Sequence, residues 1–120
     1  MPSLDMRGPF DFDVNTIDAK LEMNRIGNYA FGYINDDGVF IVEYVGRSDE
    51  DLLIRLKKQF NENGNKYLKF KFSYTATVRE AFEKECRNYH DFKPRGNSIH
   101  PARPKGYEGP CPVSGCDKLD

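Results

Sequence analysis

Residues 28–45 do the most to limit the folds open to this chain. The runs Asn28-Tyr29-Ala30-Phe31-Gly32-Tyr33-Ile34 and Val39-Phe40-Ile41-Val42-Glu43-Tyr44-Val45 are rich in aromatic and β-branched residues, and Asn35-Asp36-Asp37-Gly38 separates them. Asp and Gly tolerate the positive φ that tight hairpin turns demand, so the two runs pair as an antiparallel hairpin.

The remaining segments can be assigned around that hairpin. Ser48-Asp49-Glu50-Asp51 offers a helix cap with acids for the first turn, and Leu52, Leu53, Leu56 and Phe60 then recur at helical spacing up to the polar stretch 61–65. In 67–75, Leu68, Phe70, Phe72 and Tyr74 alternate with Lys69, Lys71 and Ser73, the pattern of a half-buried strand with a basic outer face. Thr77-Val78-Arg79-Glu80 is a capping box, which opens a helix running to about Asp91. The first 26 residues are acidic. Ile17 and Leu21 stand four apart there, and Asn15 or Thr16 would cap a short helix, giving an N-terminal helical extension.

Beyond Lys93-Pro94 the prolines at 101, 104, 110 and 112 exclude regular structure, and the tail has almost no apolar residues to pack. Something other than a core must hold it. The order helix, hairpin, helix, strand, helix, tail describes an α+β fold: a small, largely antiparallel three-stranded sheet flanked by helices. A chain of 120 residues is expected to make one domain, divided as an extension 1–26, a core 27–97 and a tail 98–120.

Cys86, Cys111 and Cys116 are an odd number, which argues against a framework made only of disulfides. Cys86 and His90 stand at i and i+4, where helical side chains converge, and Cys111 and Cys116 supply a second pair from a turn-rich loop. Together they make a tetrahedral zinc site, with His100 as an alternative ligand, and zinc would staple the tail.

Charge is unevenly distributed. Residues 1–52 hold four Lys/Arg against eleven Asp/Glu, a net of −7, whereas 53–107 hold thirteen against five, a net of +8. A basic segment of this kind suits a phosphate backbone, though it equally suits solvated helix and strand faces. The apolar stretches fall well short of the roughly twenty residues a membrane helix requires. With neither a basic flank nor an apolar run at the N-terminus, the chain reads as cytoplasmic.

Gly27-Asn28-Tyr29, followed one hairpin later by Tyr44-Val45-Gly46, resembles the paired signature of the GIY-YIG nuclease family. Further matches follow in order: Arg55 in the next helix, Glu80-Ala81-Phe82-Glu83-Lys84-Glu85 in the last helix, and Asn97 in the loop after it. The chain departs from the family by a longer hairpin and by Asn28 in place of the apolar middle residue. The resemblance, over about residues 27–97, implies a divalent-metal-dependent endonuclease acting on DNA. It implies that Glu85 holds magnesium or manganese, that Arg55 grips the scissile phosphate, and that Tyr29 is the general base or positions the water with Tyr44.

These residue types suit that chemistry. A guanidinium holds phosphate oxygens with paired hydrogen bonds, and a carboxylate binds a hard cation that keeps several waters. A phenol with an ordinary pKa near ~10 is a poor base at neutral pH, so Arg47 or Arg55 would have to lower it. Gly46 would let substrate approach the backbone. Arg47, Lys66, Lys69, Lys71, Arg103 and Lys105 are candidate DNA contacts. With no room for a separate targeting module, either a partner protein or a homo-oligomer would supply specificity or the cutting would be nonspecific. Two alternatives stay open: a non-catalytic, zinc-containing nucleic-acid-binding module, and a zinc-stapled protein-interaction domain.

Overall fold

The computed structural model describes residues 4–63, 66–97, 99–107, 109 and 111–113. Four strands and three helices follow in the order β1 (Arg7–Asp11), α1 (Val14–Lys20), β2 (Gly27–Ile34), β3 (Phe40–Ser48), α2 (Leu52–Asn63), β4 (Lys69–Tyr74) and α3 (Val78–Phe92). The sheet has the order β1-β4-β2-β3, and its paired neighbours are antiparallel. The fold is therefore α+β as expected, but with four strands rather than three. The extra strand is β1, inside the segment expected to be only helical. It lies on the edge beside β4, with a register break between Arg7 and Phe10. An edge position tolerates Pro9, because a strand paired on one side alone does not need every N–H.

The hairpin forms where the sequence indicates. Asn35 closes it: its backbone N–H donates to the Val39 carbonyl at 2.9 Å, and its side-chain oxygen accepts from the N–H groups of Asp37 and Val39. Gly38 carries the left-handed turn at φ 79°. Part of the hairpin's extra length is taken up within the ladder rather than at the turn. Phe31 pairs with Tyr44 but Gly32 pairs with Val42, so Glu43 bulges out of β3.

The helix starts follow capping chemistry. The Thr77 side chain accepts from the Glu80 N–H at 3.1 Å, as the capping box requires. At α1 the cap is Asp13, two residues before Asn15 and three before Thr16, and its carboxylate accepts from the Thr16 N–H at 2.8 Å. At α2 Asp51 takes that place, accepting from the Ile54 N–H at 3.3 Å, while Ser48 ends β3. Helix α3 stops at Lys93, which adopts the left-handed conformation just before Pro94.

Strand alternation divides the interior in two. Tyr29, Phe31, Phe70 and Phe72 face Ile17, Leu21, Leu52, Leu53 and Leu56 of the α1/α2 layer, forming the main core. Each buried phenylalanine contributes about 1.5–3 kcal/mol of transfer free energy. The intervening residues Ala30 and Val45 face the opposite way, against Tyr89 and Phe92 of α3. The sheet is thus sandwiched, and Asn28, fully buried on the α3 side, donates to the Ala81 carbonyl at 2.9 Å. Asn28 therefore ties β2 to α3 instead of merely losing an apolar contact. Among the described residues, no helix is long and apolar enough to cross a membrane.

Candidate active site

Edge strand β3 has α2 on one face and α3 on the other, so side chains from both layers can meet at its rim. They do so in an open cleft of about 220 Å³ lined by Tyr29, Tyr44, Arg47, Arg55 and Glu85, with Gly46, Asp49 and Ala102 completing the wall. A larger groove of about 360 Å³ shares Asp49 and Arg55 and continues along the start of α2 past Lys58. The sequence-derived Tyr29, Tyr44, Arg55 and Glu85 thus come together in one place.

Tyr29 is 2% exposed, and its ring lies directly over Gly46. A Cβ at Gly46 would fall 2.4 Å from the Tyr29 ring carbon and hydroxyl. The glycine therefore makes room for a neighbouring phenol, a different role from the expected close approach of substrate. Burial pushes the Tyr29 hydroxyl far above its ordinary pKa, the neighbouring Tyr44 adds to this, and the opposing pull of Arg55 is smaller. Burial likewise raises Tyr44, helped by Glu85 and Tyr67. The expectation that an arginine would bring Tyr29 down is overturned, because desolvation of the phenolate outweighs the attraction of an exposed guanidinium. Both phenols therefore stay protonated at neutral pH.

Glu85, 9% exposed, is held by Arg47, whose Nη1 lies 2.5 Å from Oε1. Arg47 also grips Asp49, with Nε 2.8 Å from Oδ1, and stacks over the Phe82 ring at 5.3 Å. Burial disfavours the Arg47 charge, but Asp49 and Glu85 together more than offset it and keep the guanidinium firmly ionised. For Glu85 burial is the larger influence, so its carboxyl titrates above its usual range despite Arg47. The partnership of Arg47 with Asp49 was not evident from the sequence. An Arg-x-Asp spacing just past a strand glycine is the only trace of it. Arg55, by contrast, is exposed and forms no ion pair among the described residues.

Asn97 acts through backbone geometry. Its side-chain oxygen accepts from the Val45 N–H at 2.8 Å and its amide donates to the Val45 carbonyl at 2.9 Å, so it pairs with edge strand β3 like a fifth strand one residue long. Beside it the Gly96 N–H donates to the bulged Glu43 carbonyl at 2.6 Å. A side chain at Gly96 would strike that oxygen and the Tyr67 hydroxyl. The Glu43 bulge is thus the dock for the Asn97 loop.

The candidate DNA-contacting lysines lie elsewhere. Lys69 and Lys71 project from the face of β4 opposite Phe70 and Phe72. Lys69 pairs with Asp11, and Lys71 lies 5.1 Å from the Phe40 ring centroid. Neither lines the cleft.

On the far side of α3 a second constellation forms. Donor atoms of Cys86, His100 and Cys111 all lie within 4.8 Å of one another, a grouping that could hold a metal ion. The histidine in this group is His100, the alternative ligand of the sequence reading, and His90 is not part of it. His90 is nevertheless close, its Nε2 3.3 Å from Nε2 of His100. Cys116 lies outside the described residues. The thiols sit in a small apolar cluster with Phe82, Tyr107 and Val113, so the tail has more to pack against than its composition suggested.

Comparison with family models, with curated proteins and with solved structures gives no match.

Proposed function

We propose that this chain is a GIY-YIG-type nuclease domain that hydrolyses phosphodiester bonds in DNA with the help of a divalent cation, and that it carries a separate structural zinc. What carries the reading is the meeting of Tyr29, Tyr44, Arg55 and Glu85 in one open cleft, although they lie on four elements spread over 57 residues of sequence.

The residues of the cleft suit the reaction. Arg55 is exposed and always charged, so its planar fork can hold the oxygens of a phosphodiester and balance charge as it builds there. Tyr29 and Tyr44, kept protonated by burial, donate hydrogen bonds that orient a water or a phosphate oxygen; the water-positioning role fits them better than that of base. Glu85 and Asp49 bring two carboxylates to the same cleft, a donor set that fits magnesium or manganese with several retained waters. When bound, such a cation would supply positive charge at the departing oxygen. Arg47 fixes the rotamer of Glu85, and Asn97 fixes the strand that bears Tyr44 and Gly46.

One observation favours the non-catalytic alternative: the 2.5 Å ion pair satisfies Glu85 through the protein's own arginine. Incubating the full chain with supercoiled plasmid, with and without magnesium, separates the readings. Magnesium-dependent nicking that disappears in Glu85→Gln supports hydrolysis. Salt-sensitive binding without nicking supports the binding module.

A further inference from the structure

We propose that Cys86, His90, His100 and Cys111 form a tetrahedral zinc site that locks the C-terminal tail in place as a wall of the cleft. The ligand assignment stands apart from the nuclease reading, and only its consequence for cleavage rests on that reading.

Cys86, His100 and Cys111 already lie within 4.8 Å of one another, and the contact of His90 with His100 brings in the fourth group. Two nitrogens each ~2.0–2.1 Å from one tetrahedral zinc must lie roughly 3.3–3.4 Å apart. The Nε2 atoms of His90 and His100 are 3.3 Å apart. His100 is also oriented as a ligand, since its Nδ1 lies 2.9 Å from the Pro101 carbonyl. A carbonyl can only accept, so Nδ1 carries the proton and Nε2 is left with the lone pair a metal needs. This is the second-shell contact that metal-binding histidines characteristically make. Cys86 and Cys111 bring two thiols to the same spot, both buried. Two thiolates, two neutral imidazoles and one Zn²⁺ sum to zero charge, which lets the cluster be buried without an unpaired ion. A tetrahedral set of two sulfurs and two nitrogens selects zinc among the common divalent ions.

The site's location gives it a task. Cys86 and His90 lie on α3, whereas His100 and Cys111 belong to the tail. The segment tied down between them includes Asn97, which pairs with Val45, and Ala102, which lines the cleft. His100 stands three residues after the first and two before the second. Cys86 directly follows Glu85, pointing about 100° away around the helix, so one helix carries the staple on one side and the cleft carboxylate on another. Closing the metal site sets both the loop and the wall.

The test uses the full chain purified in reducing buffer. Expected are one equivalent of zinc and, after exchange to cobalt(II), the thiolate charge-transfer and intense ligand-field absorption of a tetrahedral site. His90→Ala, His100→Ala and Cys111→Ser each lose the bound metal and that spectrum, whereas Cys116→Ser keeps both. Stripping zinc from the unaltered chain, which needs no variant to fold, speeds hydrogen exchange at the Val45 amide by about tenfold or more. It also abolishes plasmid nicking in resupplied magnesium until zinc is returned. A wild-type chain that takes up neither zinc nor cobalt overturns the site. A spectrum kept in His90→Ala but lost in Cys116→Ser overturns the quartet, and nicking or Val45 exchange indifferent to zinc overturns the lock. A zinc-loaded protein with the cobalt spectrum and zinc-dependent Val45 protection, but no cleavage, counts against the nuclease reading and leaves this one standing.

Discussion

Replacing Arg47 by alanine strands Glu85, and the size of that effect can be worked from the structure. Both side chains are 11% exposed, and the Glu85 carboxyl is bonded to Arg47 at 2.5 Å. Removing one partner of a buried ion pair costs about 3–5 kcal/mol. Glu85 borders an open cleft that water can enter, so a smaller loss of about 2–3 kcal/mol at neutral pH is expected, roughly 30- to 150-fold in the folding equilibrium. With an m-value of about 1.5 kcal/mol/M, the urea midpoint should fall by about 1–2 M.

The pH dependence gives a sharper check than the size. Burial already raises the Glu85 pKa, and Arg47 is the chief influence holding it down. Without Arg47 the pKa rises further. A carboxyl with a raised folded-state pKa favours the fold below its unfolded value, near ~4.3, and that contribution is lost as pH climbs through the folded value. The gap between wild type and Arg47→Ala should therefore be smallest near pH 4, widen as pH rises, and shrink in a Glu85→Gln background to what Arg47 loses with Asp49 and Phe82. Urea unfolding of the four proteins at several pH values measures this. A gap independent of pH, or unaltered by Glu85→Gln, would refute the claim that a buried carboxylate is its source.

Gly46→Ala pushes a methyl group to 2.4 Å from the Tyr29 ring and should cost about 1–3 kcal/mol in urea unfolding while displacing that phenol; full stability would show that the ring has room to move. Asn97→Ala removes two hydrogen bonds to Val45, for about 1–3 kcal/mol and faster Val45 amide exchange, whereas Asn97→Asp should keep the accepted bond and lose the donated one. Cleavage should increase with pH across the raised Glu85 titration, since only the ionised carboxyl binds a cation, and a flat single-turnover profile would contradict this.

Much of the fold could be read from short-range chemistry. The Asp37-Gly38 turn, the Phe70/Phe72 alternation and the Thr77 capping box each act over a few residues, and all three formed as the sequence indicates. Strand β1 did not show, because Gly8 and Pro9 break its pattern and only the neighbouring β4 makes it a strand. The Asp13 cap was missed for a related reason: several adjacent residues can cap, and the packing of Ile17 chooses among them. In the cleft, it was the resemblance to the GIY-YIG signature that singled out Tyr29, Tyr44, Arg55 and Glu85. Arg47 with Glu85, Asn97 with Val45 and Gly46 under Tyr29 are tertiary pairings that no local pattern encodes. The preference for His100 in the metal group likewise depends on how the tail folds back onto α3.

The most direct test of the whole account is single-turnover plasmid cleavage by Arg55→Ala. Arg55 is exposed and forms no ion pair among the described residues, so its loss should change stability by no more than about 0.5 kcal/mol. A variant as stable as wild type that still binds DNA but nicks it at least about a hundredfold more slowly is the predicted result. Nicking at the wild-type rate by that variant would contradict the account at its centre.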